Sequence, residues 1–231
     1  MARLHFLRVT LTALALLASA GAAAVSFDQI TGAEAGGGLK AALDQGARTA
    51  VASLGQTDGF WSNPKVRIPL PEAIARGKGV LKMMGRGAEV DELERGLNRA
   101  AEQAVPQAQA LLLDVVKTMS VSDAKGILSG GDDSVTQFFK GKTQAELARR
   151  FLPVVKTITD RSGLAQQYNA LAGQGAQFGL IKHEQASVEQ YVTQKALDGL
   201  YSTIGEQERA LRANPAAATS DLAKKVFGAL R

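Results

Sequence analysis

The residues of this chain that could do chemistry gather in three places. Asp91, Arg95, Asn98 and Glu102 recur at i, i+4, i+7 and i+11, which puts them on one face of a helix. Tyr191, Lys195, Asp198 and Ser202 repeat the same spacing further along. Ahead of both in sequence lies NPKVRIPLP, Asn63 to Pro71, where three prolines in nine residues predict an extended strap with Lys65 and Arg67 projecting at alternate positions toward one side. A cationic strap beside a polar groove would bind an acidic ligand, and the candidate ligand-binding residues are Lys65, Arg67, Asn98, Tyr191, Lys195 and Asp198. The plainer reading is two solvated faces carrying ordinary ion pairs, Asp91 with Arg95 and Lys195 with Asp198.

Other chemistries fail on their own requirements. Cysteine is absent, so there is no thiolate. The two histidines are His5 and His183, and no Ser sits in G-x-S-x-G, which leaves a hydrolytic nucleophile without its base. His183-Glu184 begins H-E-x-x-H, but Ser187 stands where the second zinc ligand belongs, so no metal site is expected. Gly141-Lys142-Thr143 matches the end of a phosphate loop, yet Thr136 occupies the position of its first glycine. Asp91, Glu92, Glu94 and Glu102 share one helix and could supply acid and base for glycan cleavage, though nothing in their pattern selects a pair. No catalytic residue and no cofactor is assigned.

The elements that must position these groups are helices. Apolar residues repeat at steps of three and four nearly throughout, and Ala, Leu, Gln, Lys, Arg and Glu dominate. The expected fold is all-α: one irregular multi-helix bundle crossed by the proline-rich strap. A first helix is expected over Gly37 to Leu54, ended by Gly55, and a second from Pro71 to Gly85. A third over Ala88 to Val105 buries Val90, Leu93, Leu97, Ala101 and Ala104, before Pro106 kinks it or starts another to Met119. Ser120 with Asp123 reads as a capping box, as does Thr143 with Glu146, which splits the stretch after Asp132 into two helices. A Gln-rich helix over Leu164 to Gly173 follows, then a long helix from Ser187 to Arg212 and a last one ending near Gly228.

The first 24 residues read as a secretory leader: basic Arg3, His5 and Arg8, an apolar run from Val9 to Leu17, then small residues to Ala24 with A-x-A matches. No Cys follows to take a lipid, and the run falls short of the roughly 20 residues a bilayer needs. Release into the periplasm after cleavage is expected, with no transmembrane segment remaining. Residues 25–37, with Gly36-Gly37-Gly38 at their end, are expected to be flexible, and 38–231 to form a single domain. Of 27 Lys and Arg, Arg3 and Arg8 lie in the leader, leaving 25 against 22 acids. That mild excess, with no basic run longer than a pair, speaks against nucleic acid as a partner.

Several segments resemble the bacterial domain of unknown function 4197 family: GLKAALDQGARTAVASLG from Gly38, DGFWSNPKVRIPLP from Asp58, DELERGLNRAAEQAVP from Asp91, DAKGIL from Asp123, RFLPVV from Arg150, YVTQKALDGL from Tyr191 and SDLAKKVFG from Ser220. The chain departs from the family's usual residues at Gly130 to Ser134, a helix start. The resemblance implies an exported helical protein of Gram-negative bacteria and no particular activity. The expected function is a periplasmic, non-enzymatic binding or interaction protein whose partner is an acidic small molecule, a lipid or an envelope protein. A carboxylate-dependent enzyme on envelope polymers and a structural envelope protein are the alternatives.

Overall fold

The structure, a computed structural model, describes residues 30–70, 87–131, 133–161 and 187–229, together with 75, 78, 79, 82, 83, 85, 163, 166 and 168. The expected leader, residues 25–29 and His183 lie outside the described residues. The helices expected over Pro71 to Gly85 and Leu164 to Gly173 lie largely outside them, although 75, 78, 79, 82, 83, 166 and 168 are helical.

The long α-helices are α1 (Gly32–Gly55), α2 (Gly87–Ala104), α5 (Ser134–Arg161) and α6 (Val188–Ala213). Shorter ones are α3 (Gln109–Thr118), α4 (Val121–Leu128) and α7 (Asp221–Gly228), and no strand occurs among the described residues. Pro106 neither bends α2 nor opens α3 directly. It sits in a single 3₁₀ turn, Val105–Ala108, where its missing N–H is an orphan in any case.

α1 lies at the centre, packed against α3, α4, α6 and α7, while α5 and α6 run along each other and α2 covers both. The stripe predicted for α2 is buried, and Leu39, Leu43, Ala47, Ala50 and Leu54 of α1 face the same core. The capping box of Ser120 with Asp123 opens α4, and Ser187 accepts from the Gln190 N–H at the start of α6.

Two sequence expectations are corrected. The first helix begins at Gly32, not near Gly37, because Thr31 and Glu34 close a capping box that places the three glycines inside the helix. At Gly37 and Gly38 α7 approaches too closely for a side chain: a Cβ on Gly37 would stand 2.9 Å from Leu222 Cδ2, and one on Gly38 would stand 2.5 Å from Val226 Cγ2 and 2.7 Å from the Leu222 carbonyl. Lys225 then pairs with Glu34 at 2.7 Å, and that cation with the Thr31 bonds holds the Glu34 carboxyl down at about 2. The second correction is that α5 is one helix of 28 residues. Thr143 caps nothing. It is buried in mid-helix, where its hydroxyl satisfies itself on the Phe139 carbonyl at 2.7 Å and on the Tyr201 hydroxyl at 2.8 Å.

Candidate functional site

Between α1 and residue 70 the chain leaves helical geometry, so its backbone N–H and C=O groups must find partners elsewhere. Some are met locally: Gly59 and Ser62 donate to Gln56 and Asp58, and Val66 and Arg67 both donate to the Asn63 carbonyl. The rest are met by side chains of α2 and α6. Glu102 is buried and takes the N–H groups of Asp58, Phe60 and Trp61 at 3.2, 3.1 and 3.2 Å. Arg99 closes the arrangement, reaching Glu102 at 2.6 Å and Asp58 at 2.8 Å. A buried carboxylate is tolerable only with such a full set of donors.

Asn98 is fully buried. It accepts from the Ile68 N–H and donates to the Ile68 carbonyl, both at 2.8 Å, with its second amide hydrogen on the Glu94 carbonyl. Tyr191, on α6, donates to the Pro69 carbonyl at 2.7 Å and stacks on Tyr168. Burial, with the charge of Glu94 adding, pushes its phenol up to about 12. α2 and α6 also pack on each other directly, and residues 68 and 69 link the two stripes, Asn98 holding one and Tyr191 the other.

Apolar contacts complete the seat. Phe60 is fully buried, as are Val66, Ile68 and Leu70 to within a few per cent, and they alternate with exposed Arg67 and Pro69. Gly199 of α6 makes room, since a Cβ there would stand 2.8 Å from the Phe60 ring. Asp58 adopts a left-handed φ of 67°, and Gly59 follows with Ser53 and Leu54 carbonyls at 2.4 and 2.6 Å from where a Cβ would be. The nine-residue strap expected from the sequence is in its first half a turn, residues 64–66; of its described residues, 63 and 67–70 lie outside both helix and turn.

What this fixed loop presents to solvent is Trp61, half-buried, with the Arg67 guanidinium 3.6 Å from its ring centre and that of Arg95 at 5.1 Å. Arg67 also pairs with Glu94 at 3.1 Å, and Glu94 and Asp91 share Lys78. Arg95 has no ion-pair partner among the described residues. The expected Asp91–Arg95 pair is not made: Asp91 goes to Lys78, which holds its carboxyl below the usual range.

The six candidate residues separate by role. Arg67 stands on the exposed face. Lys65 pairs across to Glu206 of α6 at 2.9 Å, so it and Arg67 turn to different helices and do not converge. Asn98 and Tyr191 are clamps, with their polar atoms spent on backbone. Lys195 lies over the Tyr191 ring at 5.9 Å, and the expected Lys195–Asp198 pair is absent. Asp198 accepts from Gln194 at 3.0 Å and lines a cleft of about 170 Å³ with Lys140, Ser202 and Arg209. Trp61, Arg95 and Glu102 are not among the six candidates, although Arg95 and Glu102 stand on the α2 stripe and Glu102 is one of the carboxylates considered for acid and base. The signal was the single Trp inside a loop too long to be unsupported.

No group of three or more His, Asp or Glu among the described residues could hold a metal ion, and no described helix is long and apolar enough to cross a membrane. Residues 29–228 match the family described as protein of unknown function DUF4197. No curated protein and no solved structure matches the chain.

Proposed function

The chain belongs to the DUF4197 family, whose description assigns no activity, and we propose that it is a non-enzymatic binding protein of the cell envelope that takes an acidic ligand at Trp61, Arg67 and Arg95. One observation carries this reading: a loop held by three buried polar side chains displays two guanidiniums around a half-buried indole, and one of them has no carboxylate among the described residues. Rigid presentation of exposed Arg and Trp is what a recognition surface requires, because ordering has already been met in the free protein. The planar fork of Arg matches carboxylate or phosphate. The envelope setting rests on the leader read from residues 1–24.

The rival reading, hydrolysis by paired carboxylates, meets α2 acids that are already engaged. Glu102 is surrounded by donors, and Asp91 is held ionised by Lys78, whereas a general acid needs its proton held at neutral pH.

Because Trp61 is the only tryptophan, its emission reports on this face directly. Titration with glycerol 3-phosphate and with N-acetylmuramate should give a saturable shift for at least one of them. Arg95→Ala and Arg67→Ala should abolish the shift while leaving the melting temperature within a few degrees. A flat titration with both anions, or a shift that survives both substitutions, would sink the proposal.

A further inference from the structure

A second candidate site, independent of the Trp61 face, lies on the other side of α6. α5 and α6 run together, and between them opens a groove of about 670 Å³, within the range of roughly 300–1,000 Å³ typical of small-molecule sites. Its α5 wall is Ala145, Ala148 and Leu152, spaced by three and four residues, so that they form one apolar strip about 10 Å long. Leu152 is one of the large hydrophobic side chains left exposed among the described residues. Its α6 wall is Gln190, Thr193 and Gln194.

Thr193 differs from most of the helical threonines, and unlike exposed Thr49 or Thr136, which reaches the Tyr201 carbonyl, it is both buried and unmet among the described residues. Thr118, Thr143, Thr157, Thr159 and Thr203 each donate their hydroxyl to the carbonyl four residues back. Thr193 is 5% exposed and lines the groove, and its hydroxyl has no partner among the described residues. An unmet buried hydroxyl is a cost that the free fold does not recover, and a ligand atom in the groove would recover it.

Charge points the same way. Arg149, on the groove's rim, shares the single carboxylate of Glu146 with Arg150, so two guanidiniums face one acid and one positive charge is left over. Arg149 is also largely exposed, with donors to spare.

We propose that this groove binds a single-chain alkyl carboxylate, its chain along Ala145, Ala148 and Leu152 and its carboxylate accepting from the Thr193 hydroxyl and the Arg149 guanidinium. Each polar group named can donate, and none can neutralise a cation, so the head group is an anion rather than an ammonium. The apolar strip is what distinguishes this ligand from a small hydrophilic anion.

Calorimetric titration of the purified chain with decanoate, kept below its micellar concentration, tests the assignment. Decanoate should bind, and Thr193→Val, of the same shape without the hydroxyl, should weaken it about tenfold, the usual scale for a hydrogen bond to a charged group. Thr193→Ser should restore affinity to within about threefold, and Arg149→Gln should weaken it several-fold. The valine variant should melt no lower than the parent, which separates lost binding from lost folding. Decanol should bind more weakly than decanoate. Unchanged decanoate affinity in Thr193→Val, equal affinity for decanol, or decanoate binding that disappears with Arg95→Ala would overturn it, the last because it would place the ligand at the Trp61 face.

Discussion

The polar stripes of α2 and α6 have the same spacing and opposite fates. On α2, Asn98 and Glu102 turn inward and are buried, their oxygens and amide hydrogens committed to backbone of residues 58–68, to Arg99 and, for one Asn98 hydrogen, to the Glu94 carbonyl of α2 itself. On α6 only the first member, Tyr191, does this; Lys195 and Asp198 stay at the surface with loose partners. Helical spacing determines which residues share a face, but not what that face meets. The difference lies in the neighbour, because aperiodic backbone is bound by two members of the α2 stripe, Asn98 and Glu102, and by only one of the α6 stripe, Tyr191.

This comparison can be broken by substitution, and the expected effects fall in a definite order. Glu102→Ala strips three N–H groups and Arg99 of their acceptor, and should cost about 3–5 kcal/mol in denaturant unfolding. Asn98→Ala leaves both polar groups of Ile68 unmet and should cost about 2 kcal/mol by the same measurement. Either result below about 0.5 kcal/mol would mean the loop holds itself.

Tyr191→Phe removes one hydrogen bond and should cost about 1 kcal/mol. It should also change the alkaline limb of stability. The folded phenol ionises at about 12 against an ordinary 10, so its contribution is intact below pH 10 and is lost as pH rises toward 12. Thermal melts of the parent should therefore fall more steeply across that window than those of the phenylalanine variant. Lys195→Ala and Asp198→Ala should each change stability by less than about 0.5 kcal/mol, and a larger loss for either would show the outer part of the α6 stripe to be structural after all.

The helices were legible because burial of an apolar stripe leaves a local, periodic trace, as at Val90, Leu93 and Leu97. Caps were legible where the side chain had a helix end to serve, as at Ser120 and Ser187. Thr143 misled because the same hydroxyl can satisfy itself within a helix, and what decides between the two uses is Tyr201, 58 residues away. Gly36 to Gly38 misled for a related reason: three adjacent glycines suggest a loose chain, and only the approach of Leu222 and Val226 makes the second and third of them a packing requirement. The candidate site was half legible. Lys65, Arg67, Asn98 and Tyr191 were picked from type and spacing, but clamp and display cannot be told apart until one sees which atoms reach backbone across 30 to 122 residues.

The close seat of α7 on the glycines of α1 also bears on the order in which the protein can form. The surface of α1 around Gly38 stays uncovered until residues near 226 exist, so α1 waits for a helix that follows it at a distance in the chain. Contacts of such long sequence separation slow folding, because loop closure must precede the gain. The emerging chain can make helices early, but its central helix acquires its full environment only once α7 has been made.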